Sequence, residues 1–252
     1  MSYADLLDKF DDAVVRCSSV SRKYAGIPSP TGRHFWASVI FTRICTSSFS
    51  LLMLLPKNRW SKHFLDHWDY ASVATLTRSI FESYMAFYYL CVEDVSHDEW
   101  DCRLNLFNLH DCISRKKLFE NIGEDQDFIK KFDVQTDELR TRLISNSFFS
   151  SLNEKQRKHY LIGKEAYVML KDEIIRRIGM EDSVYRTMYR FLSVQVHTFP
   201  MSYYRMGHKE RGRGIHSQTE EGYTSICIEW LTPVLIRAYE EMEDIFNKAL
   251  AK

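Results

Sequence analysis

The sequence predicts an all-α bundle, and three observations carry the prediction. Only 9 glycines and 5 prolines occur in 252 residues, so turns are few and elements are long. Apolar residues recur at three- and four-residue spacing through most of the chain. A content of 45% hydrophobic and 14% aromatic residues is enough to fill a real core. The length suits one domain, residues 1–252, of seven to nine helices.

Ser2 is placed to cap a first helix that reaches about Tyr24, with Leu6, Leu7, Phe10, Val14 and Cys17 on one face. Gly26-Ile27-Pro28-Ser29-Pro30 breaks it. A second helix runs from about Thr31 to Leu55 and stops at Pro56. A third spans about Asp66 to Asp94. Ser96 with Glu99 forms a capping-box pattern for a fourth, which ends near Ile122-Gly123. Helical stretches follow at 125–147 and 153–178, with Gly179 as a stop. Asp182 or Ser183 opens the next helix, which Pro200 ends, and a last helix from about Thr219 to Ala249 is kinked at Pro233.

The second and third helices are nearly uncharged. From Phe35 to Leu55 the only charge is Arg43; from Tyr70 to Val92 the only charges are Arg78 and Glu82. Two membrane spans would hold these charges near mid-bilayer, at a cost of about 2.5–3.5 kcal/mol each. The reading is therefore a core hairpin, with its charges paired inside the bundle. Arg78 and Glu82, four residues apart, form either an internal ion pair or a fork that receives a phosphate or carboxylate.

Formal charge is zero, with 34 basic and 34 acidic residues, so no global field draws the chain to nucleic acid or lipid. No C-x-x-C occurs among the six cysteines, and the N-terminus has no basic-then-apolar signal; together these predict a reducing cytoplasm and no membrane partner. His63 and His67 are spaced to share a metal, but no third ligand accompanies them, so neither metal nor cofactor is expected. No phosphate-binding glycine loop, nucleophile elbow or dinucleotide fingerprint is present.

The richest chemistry lies in Tyr189-Arg190-Phe191-Leu192-Ser193-Val194-Gln195-Val196-His197. On a helix Tyr189, Ser193 and His197 climb one stripe, and Arg190 sits close to it. Such a stripe is either a set of satisfied core and surface residues or a site with His197 as general acid or base and Arg190 on a phosphate. The helix separates Arg190 from His197 by about 10 Å along its axis. The loop from Gly207 to Gly214 adds Lys209, Arg211 and Arg213, and Tyr203 and Tyr204 add stacking surfaces.

Arg190-x6-His197 resembles the R-x4-6-H motif of HEPN domains, all-α bundles that include metal-independent endoribonucleases. The wider pattern, Arg78-x3-Glu82 followed by Tyr189-x3-Ser193-x3-His197, is similar to a bacterial family of uncharacterised helical proteins often compared with HEPN. The resemblance implies an endoribonuclease effector in bacterial stress or phage defence. It implies a homodimer with the site at its interface, RNA as substrate, and cyclic-phosphate products. Arg190 would clamp the phosphate and His197 would act as acid and base. Arg103-x6-His110 has the same spacing, so both pairs stand open. The alternatives are a non-catalytic helical module that binds a nucleotide or a protein and, third, a membrane-associated helical protein.

Overall fold

In the computed structural model the described residues are 1–62, 65–204 and 212–250. Among them there are eleven helices and no strand, only an isolated bridge between Trp68 and Gly214. The all-α expectation holds. The chain divides into two compact units: residues 1–92 with 178–252, and residues 93–177.

The first unit contains α1 (Tyr3–Lys23), α2 (Gly32–Leu54), α3 (Tyr70–Phe87), α9 (Asp182–Val196), α10 (Pro200–Tyr203) and α11 (Gln218–Leu250). A π-helical turn, Tyr88–Val92, extends α3. Ser2 caps α1 through a capping box with Asp5, as its position predicts. The start of α3 falls later than predicted, because the Asp69 carboxylate accepts the Ser72 N–H and caps the helix there. Pro233 lies inside α11, which continues through it.

α3 is central and packs against α2, α9 and α11, while α1 lies along α2 and α11. Phe41, Ile44, Ala74, Phe81, Tyr84, Phe87, Leu192, Leu231 and Leu235 are fully buried. Phe81 lies 4.5 Å from the Trp230 ring and Phe41 lies 5.9 Å from Phe87, centroid to centroid. α2 departs from its predicted enclosure. Its inner face, with Phe41, Ile44, Leu51 and Leu52, is buried, but Phe35, Val39, Phe49 and Leu54 face outward.

The second unit contains α4 (His97–Asn121), α5 (Gln126–Ser145), α6 (Ser147–Ser151), α7 (Glu154–Leu161) and most of α8 (Lys171–Ile178). The single helix predicted over 153–178 is two, because Gly163 adopts a left-handed φ of 74° after α7. The short α6 and α10 account for the other helices beyond the predicted seven to nine. Cys102, Leu106, Leu109 and Cys112 of α4 are buried with Ile129, Phe132, Leu139 and Leu143 of α5. All six cysteines of the chain are buried free thiols.

Arg103 is wholly buried in this second unit. Its Nη1 meets Glu93 at 2.6 Å, and its Nη2 meets Glu99 at 2.6 Å. Glu93 also receives Arg177 at 2.6 Å. A guanidinium so enclosed must be balanced by carboxylates.

In the first unit Glu220 is buried, and accepts the backbone N–H groups of Gly212 and Tyr70. Burial raises its pKa above the ordinary carboxylate value, against the pull of those two N–H groups.

Two stability experiments follow. Arg103→Met should destabilise the protein by about 1–3 kcal/mol in chemical denaturation, since it leaves the half-buried Glu99 without its cation while Glu93 keeps Arg177. The raised folded-state pKa of Glu220 means that the folded protein holds the proton more tightly than the unfolded chain. Wild type should therefore gain stability relative to Glu220→Gln as pH falls from neutrality into the carboxylate range, and a pH series of thermal melts checks this slope.

Candidate functional site

The site sits where α3 packs against α9. Arg78 and Glu82 lie one turn apart on α3, and Tyr189 and Ser193 lie one turn apart on α9. Buried Tyr185, one turn before Tyr189, has its ring 5.9 Å from Phe81 and 5.4 Å from Tyr189, which sets the two helices in register.

The Arg78 guanidinium is the hub. Its Nη2 donates to the Tyr189 hydroxyl at 2.8 Å and approaches Glu82 Oε1 at 3.5 Å. Its Nη1 lies 3.3 Å from His197 Nε2. Its Cζ lies 4.6 Å from the Tyr189 ring centroid, within cation–π range. The Tyr189 hydroxyl donates to Glu82 Oε1 at 3.3 Å. Ser193 Oγ donates to the Tyr189 carbonyl at 2.6 Å, so in this arrangement it supports the helix.

Arginine can only donate a hydrogen bond, so in the Arg78 contact His197 Nε2 is the acceptor and the ring proton resides on Nδ1. The group is at a rim: the Arg78 side chain is 13% exposed, that of Glu82 is 36% exposed, and His197 is exposed. A partly buried fixed cation beside an accessible imidazole suits an anionic ligand whose proton can be taken.

His197 is held by the way α9 ends. It is the C-cap residue, and Thr198 follows with a left-handed φ of 49°. The N–H of Phe199 bonds the Val194 carbonyl, and that of Thr198 bonds the Gln195 carbonyl, which is a Schellman ending. Glycine usually takes this position; a β-branched residue there is strained. The Phe199 ring lies 5.4 Å from that of His197. No glycine or asparagine marked this turn in the sequence, and so it went unpredicted.

The other predicted site residues fall elsewhere. Arg190 is exposed on the stripe and makes no hydrogen bond or ion pair with the described residues. Arg213 is exposed, and so are Tyr203 and Tyr204, whose rings pack 5.2 Å apart. Lys209, Arg211 and His63 lie outside the described residues. Among the described residues no group of three or more His, Cys, Asp or Glu is arranged to hold a metal ion. The competing motif is engaged elsewhere: Arg103 is buried between Glu93 and Glu99.

A separate cavity of about 510 Å³ opens between α9 and α11, lined by Val184, Met188, Ile226, Trp230 and Pro233. None of the five polar residues lines it.

Residues 34–214 match a family of unknown function, DUF5677, and the chain belongs to that family. The matched span includes Arg78, Glu82, Tyr189, Ser193 and His197. No curated protein and no solved structure matches the chain.

Thr198→Gly should relieve the left-handed backbone and raise stability by about 1 kcal/mol in thermal denaturation.

Proposed function

We propose that this DUF5677 protein is a HEPN-like endoribonuclease that needs no metal, and that Arg78 and His197 are its reacting groups. The observation that carries the reading is the 3.3 Å contact between Arg78 Nη1 and His197 Nε2 at an accessible rim. The clamp role that the resemblance assigns to Arg190 passes to Arg78, because Arg78 is the guanidinium bonded to the imidazole. Arg190, on the same stripe of α9, contacts a neighbouring phosphate.

An RNA phosphate entering the site takes the donors of Arg78 and frees the Nε2 lone pair. His197 then accepts the proton of the 2′-hydroxyl. The 2′ oxygen bonds to phosphorus, the bond from phosphorus to the 5′ oxygen breaks, and the departing oxygen takes a proton from water. Arg78 stabilises the charge that gathers on the phosphoryl oxygens, and Tyr189 with Glu82 hold the guanidinium in place. The products are a 2′,3′-cyclic phosphate and a 5′-hydroxyl. A role in stress or phage defence agrees with such an activity.

The test is incubation of the purified protein with single-stranded RNA in EDTA, with analysis of the new ends. Cleavage with cyclic-phosphate ends is expected. His197→Ala and Arg78→Ala should each reduce it by about 10²–10⁴-fold at unchanged helical content, and Arg190→Ala by far less. Intact RNA at high protein concentration, or full cleavage by His197→Ala, overturns the reading. A nucleotide that raises the melting temperature without turnover, in an Arg78-dependent way, would assign the site to binding alone.

A further inference from the structure

A helix on the outside of a protein normally buries one apolar face and shows water a charged one. α2 does not. It buries Ala37, Phe41, Ile44, Cys45, Leu51 and Leu52, yet its outer face is also apolar. Phe35 is 52% exposed, Val39 46%, Phe49 40% and Leu54 47%. Thr42, Thr46 and Ser50 complete the face, and each hydroxyl donates to the carbonyl four residues back, at 2.7, 2.9 and 3.1 Å. Their donors are thus already satisfied without water. Trp60, 46% exposed, packs 6.0 Å from Phe49 and widens the patch. Contiguous exposed apolar surface of this kind marks an interaction site.

Charge decides what covers it. Between residues 13 and 65 the chain has eight basic residues and no acidic one, although its overall charge is zero. Arg16 and Lys23 are paired with Glu243, and Arg59 with Asp11. Among the described residues Lys57 and Lys62 are exposed and make no ion pair, and Arg43, at the edge of the face, reaches the Ser83 hydroxyl. A second copy docked face to face would bring Arg43, Lys57 and Lys62 together, and the carboxylate beside Trp60, that of Asp11, is already held by Arg59 and the Trp60 indole N–H. A membrane span is excluded by the inner face, which is committed to the core. Aromatic and aliphatic residues flanked by unpaired cations suit the boundary of an anionic bilayer.

We infer that the outer face of α2, from Phe35 to Leu54 with Trp60, lies flat on an anionic phospholipid surface, with Arg43, Lys57 and Lys62 on the headgroups. This departs from the sequence expectation of no membrane partner. It is independent of the Arg78–His197 site.

The test is flotation of the full chain with phosphatidylcholine vesicles and with vesicles containing phosphatidylglycerol. Binding to the anionic vesicles is expected, weak or absent on the neutral ones, and reduced by high salt. Phe35→Glu with Phe49→Glu should weaken binding by about tenfold or more at an unchanged melting temperature, and Lys57→Glu with Lys62→Glu should weaken it as well. His197→Ala should bind as wild type. No flotation with anionic vesicles overturns the inference, as does undiminished binding by the double phenylalanine variant. A soluble dimer broken by Phe49→Glu, with no lipid binding, would assign the face to a second copy.

Discussion

A permanently charged guanidinium on the most buried helix of the first unit constrains everything around it. α3 and its π-helical extension carry two charged residues in the span from Tyr70 to Val92. Arg78 cannot lose its proton and cannot be left without partners in such surroundings. Glu82 lies one turn away but only grazes it at 3.5 Å. The closer bond comes from Tyr189 on α9, at 2.8 Å, with the ring beneath the guanidinium. Satisfying Arg78 therefore helps set how α9 lies on α3, and it brings the end of α9 and its histidine to the same rim. The left-handed Thr198 then turns the chain away, so His197 remains at the edge of the bundle.

Arg103 meets the same requirement with the opposite outcome. It belongs, like Arg190, to an Arg-x6-His spacing, yet it is sealed between Glu93 and Glu99, with Arg177 sharing Glu93. Two carboxylates within 2.6 Å complete its charge and leave nothing to offer an incoming anion. Arg78 is less compensated and partly exposed. Motif spacing points to Arg103 and Arg190 alike and passes over Arg78; the number and closeness of the surrounding carboxylates and the reach to His197 single out Arg78.

Most helices are legible in the sequence. Ser2 and Ser96 cap their helices where the pattern put them, and Gly123 and Gly179 follow helix ends with left-handed φ. Local chemistry suffices there, since a cap is made by groups three residues apart. Boundaries set by less local choices were missed. Asp69 rather than an earlier residue caps α3, and the stretch over 153–178 breaks at Gly163, where a side-chain carbon would run into Ile113 and Leu109. Of the site, the five polar residues were recognisable as chemistry stranded in apolar helices. Their partnerships were not, because Arg78 and His197 are 119 positions apart.

α2 shows the same division. Its apolar composition was plain, and it was read as a helix enclosed on all sides, since composition does not say how many neighbours a helix will find. The amino-acid sequence by itself determined the all-helical class, most helix ends, the free thiols, and the presence of a few charges in greasy segments. All of these follow from propensity, periodicity and capping within a few residues. Only the tertiary structure decided which arginine meets the histidine, which one is neutralised, and which side of α2 faces outward. Those depend on which faces of distant helices pack together, and no short-range rule carries that.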